Sequence, residues 1–233
     1  MQTLSTSDRE TGDTPLDGKD VAYDSFRHSW SYAVVKRALD LMLAIVLLPF
    51  LVPVCLLLTF LIKCTSKGPV FYRHLRVGQD SRKFHLYKFR TMFADSDNIL
   101  EAYLATDPLA RQEWAEHYKL RRDPRVTPLG AVLRRTSLDE LPQIVNVLAG
   151  HMSFVGPRPI VNDEISRYGG AFALYSAVKP GITGLWQVSG RGTLSYAARV
   201  SLDMQYVMTW SLPHDMRVLL RTARAVLASV GAY

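Results

Sequence analysis

Two adjacent carboxylates, Asp139 and Glu140, lie in the stretch RRTSLDELPQ (Arg134 to Gln143) shortly after a pair of arginines. Ser137 followed three residues later by Glu140 has the spacing of a capping box, which opens ordinary helices. The same residues could equally be the working end of an enzyme. In the first turn of a helix the dipole favours negative charge and keeps carboxylates ionised. Successive helical residues point about 100° apart, so the two groups can serve different tasks.

Three further stretches carry unusual backbone or charge. VGPRP sets Arg158 between two prolines, a rigid mount for one guanidinium or a plain turn. VKPGITGLWQVSGRG contains Gly181, Gly184, Gly190 and Gly192, which could admit a diphosphate to backbone amides or form a strand with turns. The sequence Asp95-Ser96-Asp97 has the Asp-x-Asp form that holds a metal-bound nucleotide sugar, and it also suits a helix start. That motif supports a rival reading, a metal-dependent glycosyltransferase releasing UDP.

These residues need elements to position them. Leu138, Leu141, Ile144, Val145 and Leu148 fall on one face of a helix over 138–148, with Gly150 as its stop. PVFYRHLRVG and KFHLYKFRTM are β-like runs separated by GQDSR, which predicts a hairpin. Helical spacing runs from Asp95 to Lys119 and ends in a basic turn. Near the C-terminus Arg217, Arg221 and Arg224 form a stripe opposite Val218, Leu219 and Val226. Such a basic amphipathic helix either lies on anionic lipid or packs on the body with a solvated face.

From Leu41 to Ile62 runs an apolar segment of about 22 uncharged residues, long enough for a bilayer. Pro49 and Pro53 sit near its middle, and each removes a helical hydrogen bond. Lys36 and Arg37 precede the segment while Lys63 and Lys67 follow it, so both ends prefer the cytoplasmic side. The simplest geometry is re-entrant: a helix that enters, breaks at the prolines and returns, each half about 12–15 Å long. A kinked spanning helix is the alternative. Residues 1–30 are polar and without periodicity, the pattern of a disordered tail and not of a signal peptide.

The chain has 233 residues, 48% of them hydrophobic, which suffices for one core. A net charge of +7 suits phosphorylated substrates, anionic lipid or nucleic acid. No nucleic-acid motif accompanies it. Only Cys55 and Cys64 are present, so neither a disulfide framework nor a cysteine metal site is expected, and a reducing compartment fits.

Taken together, KRALDLMLAIVLL, YKFRTM, LRRTSLDELPQIVNVLAGHMSFVGPRP, KPGITGLWQVSGR and LDMQYV resemble the bacterial sugar transferases, small monotopic phosphoglycosyl transferases. The resemblance covers about Lys36 to the C-terminus. It implies an α+β, mainly helical protein, with a re-entrant membrane helix over 31–66 and a catalytic body over 67–233 on the cytoplasmic face of the inner membrane. It also implies the chemistry. Asp139 attacks the sugar-bearing phosphorus of a UDP-hexose, releases UMP and passes the sugar phosphate to undecaprenyl phosphate, the first membrane step of exopolysaccharide synthesis. Glu140 would help hold Mg²⁺, Arg134 and Arg158 would bind phosphate, and Lys88 and Arg90 would assist. Gln187 and Arg191 would serve the nucleotide or sugar, and downstream glycosyltransferases would be neighbours. Where the family breaks its helix at a Ser-Pro pair, this chain has Val52-Pro53. A membrane scaffold without chemistry is a further alternative, against which the intact Asp139-Glu140 pair speaks.

Overall fold

The computed structural model describes residues 30–117, 120–190 and 194–227. The expected N-terminal tail lies outside them. Helix α1, Trp30–Thr65, is apolar and long enough to cross a membrane. It continues through Pro49 and Pro53 instead of stopping there. Each proline lacks the N–H that would reach the carbonyl four residues back, Ile45 for Pro49 and Pro49 for Pro53. The turns on either side carry the helix across the two missing bonds.

One face of α1 is held along its whole length by the rest of the chain. Near its start, Lys36 pairs with Asp215 in a buried ion pair. Arg37 donates to the carbonyls of Val147 and Leu148 at 2.5 and 2.9 Å, and Asp40 accepts from Ser153 Oγ at 3.0 Å. In the middle, Ala44, Leu47 and Leu51 pack with Phe84, Leu86, Ile144, Val147 and Met152. Toward the end, Leu58 and Ile62 join Val70, Phe89 and Leu133. The opposite face is bare, with Phe50 71% and Phe60 64% exposed.

The expected hairpin forms. Strands β1, Phe71–Val77, and β2, Lys83–Phe89, pair antiparallel with Tyr72 opposite Lys88 and Arg76 opposite Phe84. Asp80 and Ser81 take positive φ in the turn. The helical stretch that follows divides into α2, Ser96–Thr106, and α3, Pro108–His117. A residue before proline avoids helical backbone, and Asp107 does so at φ −115°, ψ 105° while its Oδ1 accepts from the amides of Leu109 and Ala110.

Helix α4, Pro128–Thr136, is capped by Thr127, whose hydroxyl accepts from the Gly130 amide at 2.9 Å. The helix expected over 138–148 is two pieces, a 3₁₀ turn at Leu138–Gln143 and the short α5 at Ile144–Leu148. Pro142 lies inside the first piece and cannot donate to Leu138, which favours the tighter geometry. The change of pitch turns Val145 outward to 51% exposure and puts Val147 in the core. Ser137 does not cap with its side chain; it takes left-handed φ at the end of α4, and its amide donates back to the Arg134 carbonyl.

The remaining body is a second core. Strands β3, Ser153–Val155, and β4, Gly181–Thr183, pair in parallel. Around them lie α6, Ile165–Tyr168, α7, Phe172–Ser176, α8, Leu185–Val188, α9, Tyr196–Thr209, and α10, Leu212–Leu227. Tyr168, Tyr175, Tyr206, Val207 and Val218 fill the interior. Helix α10 packs on this core through Val218 and Leu219 and leaves Arg217, Arg221 and Arg224 exposed. Val226 lies outside the described side chains. Gly192 lies outside the described residues, while Gly156, Gly181 and Gly184 serve close packing, since a Cβ on Gly184 would stand 2.2 Å from the Gly156 carbonyl oxygen. That contact locks the VGPRP loop against the ITG segment.

Candidate active site

Alternation along β2 sends Phe89 into the core and Lys88 to the other face. The 3₁₀ turn runs beside β2 and brings Asp139 and Glu140 to Lys88. The Lys88 Nζ stands 2.7 Å from Glu140 Oε1 and 3.7 Å from Asp139 Oδ2. Asp139 is 8% exposed. Burial pushes its carboxyl above the usual range, Glu140 adds to the rise, and Lys88 and Arg134 oppose it. The result is a desolvated carboxylate beside an ammonium.

Arg134 comes from the last turn of α4. Its Nε donates to Thr91 Oγ1 at 2.9 Å, just beyond β2. The approach depends on Gly130, where a Cβ would lie 2.0 Å from the Thr91 carbonyl oxygen. Lys88, Arg134, Asp139 and Glu140 therefore form one cluster. Sequence reasoning did not single out Thr91, although it is the residue that aims Arg134.

Arg158 belongs to a second cluster. Arg158 lies over the Trp186 ring at 5.5 Å, and Arg199 of α9 lies over the same ring at 5.0 Å. Gln187 is 6% exposed and follows Trp186 in α8. Arg76 joins from β1, its Nη1 donating to the Pro159 carbonyl at 3.2 Å. Arg76, His74 and Tyr72 share the hairpin face that also bears Lys88. His74 feels both clusters: burial lowers its pKa, and Arg76 and Lys88 lower it further. Neither Arg76 nor Arg199 was a sequence candidate. The signal for Arg76 was its two-residue spacing from Tyr72 and His74, and for Arg199 its position four residues before Asp203 on one helix.

Arg90 and the Asp95–Asp97 pair stand elsewhere. Arg90 is 8% exposed and donates to the carbonyls of Ser66 and Lys67 and to Ser66 Oγ at 2.7 Å, at the end of α1. Its guanidinium fastens the end of α1 to the hairpin. Arg191 lies outside the described residues. Asp95 and Asp97 open α2, where Asp95 Oδ1 accepts from Asn98 at 2.5 Å; this is the helix-start reading.

Among the described residues no group of three or more His, Cys, Asp or Glu side chains gathers to form a protein-only metal cage. Mg²⁺ does not require one, since it commonly binds through one or two carboxylates together with substrate phosphates. The hard oxygens of Asp139 and Glu140 fit that requirement.

The chain is similar to known proteins over most of its length. The model of a family described as bacterial sugar transferase matches residues 31–229. The UDP-galactose-lipid carrier transferase of Erwinia amylovora is 46% identical over 231 residues, covering 94% of this chain and 48% of that protein. The exopolysaccharide production protein ExoY of Rhizobium meliloti is 47% identical over 200 residues, 86% of this chain and 88% of ExoY. The undecaprenyl-phosphate galactose phosphotransferase of Salmonella typhimurium is 47% identical over 199 residues, 85% of this chain and 42% of that protein. The chain thus spans about half the length of the first and third relatives and most of the second.

Proposed function

The chain belongs to the bacterial sugar transferase family, and on that premise we propose that it moves hexose-1-phosphate, as galactose or glucose, from a UDP-sugar to undecaprenyl phosphate. The observation that carries this reading is the Lys88, Arg134, Asp139 and Glu140 cluster, built beside a membrane-length helix. The names of the relatives support the substrate classes: a UDP-galactose-lipid carrier transferase and an undecaprenyl-phosphate galactose phosphotransferase.

In the first half-reaction an Asp139 oxygen attacks the sugar-bearing phosphorus, the phosphorus–oxygen bond to UMP breaks, and UMP departs with the electron pair. The product is an acyl phosphate on Asp139. In the second, an oxygen of the polyprenyl phosphate attacks that phosphorus and the acyl phosphate bond breaks, which restores the carboxylate. A buried nucleophile is poorly solvated and so more reactive once ionised. Lys88 opposes the effect of burial and so favours the ionised form, while Arg134 supplies positive charge for phosphate oxygens. Mg²⁺, held by Glu140 with Asp139, would neutralise charge on the diphosphate and the leaving group. Arg158→Lys should be much impaired despite its retained charge, because the planar fork is lost.

The membrane topology follows the same reading. Lys36 and Arg37 at one end of α1, and Ser66 and Lys67 just past the other, bond to one body. A helix that crossed the bilayer would separate those ends by about 30 Å of hydrocarbon. We infer a monotopic arrangement in which α1 dips in and returns, bending at Pro49 and Pro53, with the body on the cytoplasmic face of the inner membrane. This places the acceptor phosphate at headgroup level next to Asp139 and leaves the product where downstream glycosyltransferases can use it. Cysteine labelling at Lys36 and Lys67 tests it: both sites should react from the cytoplasmic side, and labelling from opposite sides would overturn it.

The experiment that tests the activity supplies the detergent-solubilised protein with Mg²⁺, undecaprenyl phosphate and one UDP-sugar at a time. UMP is the expected product. UDP would indicate transfer of the sugar alone.

A further inference from the structure

We propose that Arg76, beside the Pro159 carbonyl and Glu164, and Arg199, seated with Arg158 over Trp186, join Arg158 in a second anion subsite that takes a phosphoryl group. The subsite rests on the transferase reading for its substrate, but its geometry is independent of Asp139. Lys88, Arg134 and Glu140 are the charges that act on Asp139, and none of the three arginines of the second cluster is among them.

The cluster holds unpartnered donors and an excess of positive charge. Arg76 and Arg199 are only 14% and 13% exposed. Glu164 is their shared carboxylate, at 3.9 Å from Arg76 Nη1 and 3.5 Å from Arg199 Nη1, both longer than a good hydrogen bond. Among the described residues, Arg76 Nε, Arg199 Nε and Nη2 and Trp186 Nε1 are buried without a hydrogen-bond partner, as are the acceptors Gln187 Oε1 and Asp203 Oδ1. Buried N–H groups are ordinarily paired. Asp203, the other carboxylate nearby, is fully buried, accepts from Tyr168 at 2.7 Å and has its pKa pushed up to about 7 by burial. It therefore offsets the arginines only in part. Burial lowers the Arg76 pKa, and the nearby charge of Arg158 lowers it further.

Three guanidiniums, fewer carboxylates and a set of idle donors describe a site prepared for an anion with several acceptor oxygens. Planar guanidinium forks favour phosphate over halide. Arg158 and Arg199 are both seated over the Trp186 indole, which holds them in place before the ligand arrives. The phosphoryl group can come from the nucleotide of the donor or from the lipid phosphate of the acceptor. Both reach the same hairpin face that carries Lys88.

The test uses the full chain in detergent micelles, with Trp186 as the reporter. The fluorescence change on titration is measured against Trp186→Phe, so that the other tryptophans cancel. UMP and inorganic phosphate should produce a Trp186 response that weakens with salt, and uridine should produce none. Arg199→Gln and Arg76→Gln, each checked for an unchanged melting profile, should weaken UMP binding by about 10- to 100-fold, as expected for loss of a charged hydrogen bond. If Arg199→Gln does not fold, Arg199→Lys replaces it, with the same loss expected.

The half-reactions identify the source. Slower UMP release from donor alone in Arg199→Gln assigns the subsite to the nucleotide. Normal release followed by slower discharge to undecaprenyl phosphate assigns it to the lipid. Equal affinities and equal half-reactions in wild type and both variants would overturn the subsite while leaving the transferase reading intact. Arginine-dependent phosphate binding in a chain that releases no UMP would keep the subsite and remove that reading.

Discussion

Lys88 stands 2.7 Å from Glu140 and 3.7 Å from Asp139, so the nearer partner of the ammonium is the neighbour of the proposed nucleophile. This leaves Asp139 Oδ2 outside hydrogen-bond distance while its charge is still compensated. Lys88→Met should lower the rate of UMP release by about 10²–10³-fold, the cost of removing a charged stabiliser from a dry site. It should also move the acid limb of the kcat/KM profile to higher pH. Burial already raises the Asp139 pKa and Lys88 opposes the rise, so deleting Lys88 lets it climb further. An unmoved acid limb would remove Lys88 from this role.

Asp139→Asn should abolish UMP release without loss of fold. Because burial raises the folded-state pKa of Asp139, its neutral form is favoured by the fold, and its ionisation costs stability as pH rises above the unfolded value. At neutral pH the neutral amide should therefore unfold at the same temperature as wild type or higher. Thermal melts of the two proteins check this, and a large drop for Asp139→Asn would contradict it.

Asp203 gives a pH dependence of the same sign. Its folded pKa is raised from 3.8 to about 7. Between those values the unfolded chain has released this proton and the folded chain retains it, so stability falls as pH rises through that window and levels off above it. Asp203→Asn should flatten this part of the curve in melts recorded from pH 4 to 8.

Arg90→Gln should act on stability alone. Its guanidinium is occupied by Ser66 and Lys67 at the end of α1, and losing those bonds should cost about 1–3 kcal/mol. The KM for the UDP-sugar should be unchanged. A raised KM with an unchanged melt would return Arg90 to the phosphate site.

How the sequence related to this structure differs from one element to the next. The hairpin was legible because GQDSR punctuates two runs of alternating residues, and that alternation alone sets Lys88 and Phe89 on opposite faces. The carboxylate pair was legible as a candidate, but its mount was not. Helical periodicity placed Val145 on the buried face, whereas Pro142 tightens the backbone and rotates it to the surface. Arg90 sits in the same motif as Lys88 and looks alike in sequence; only the position of the end of α1 beside the hairpin reveals that its partners are the carbonyls of Ser66 and Lys67 and the Ser66 hydroxyl. The glycines at 181 and 184 read as a phosphate cradle or a strand, and the close approach of Gly156 shows them to be packing contacts. Such contacts between distant segments have no local signature. The second arginine cluster is of this kind, joining β1, the Pro159 loop, α8 and α9.

The central claim is that Asp139 carries the sugar phosphate. It is tested most directly by mixing the wild-type protein with UDP-galactose or UDP-glucose and Mg²⁺ in the absence of undecaprenyl phosphate, then measuring UMP and the intact protein mass. The account predicts about one UMP per protein and a mass gain of one hexose phosphate that maps to Asp139 and disappears on adding undecaprenyl phosphate. UMP release that begins only when the lipid phosphate is present, with no mass gain on the protein, would contradict it.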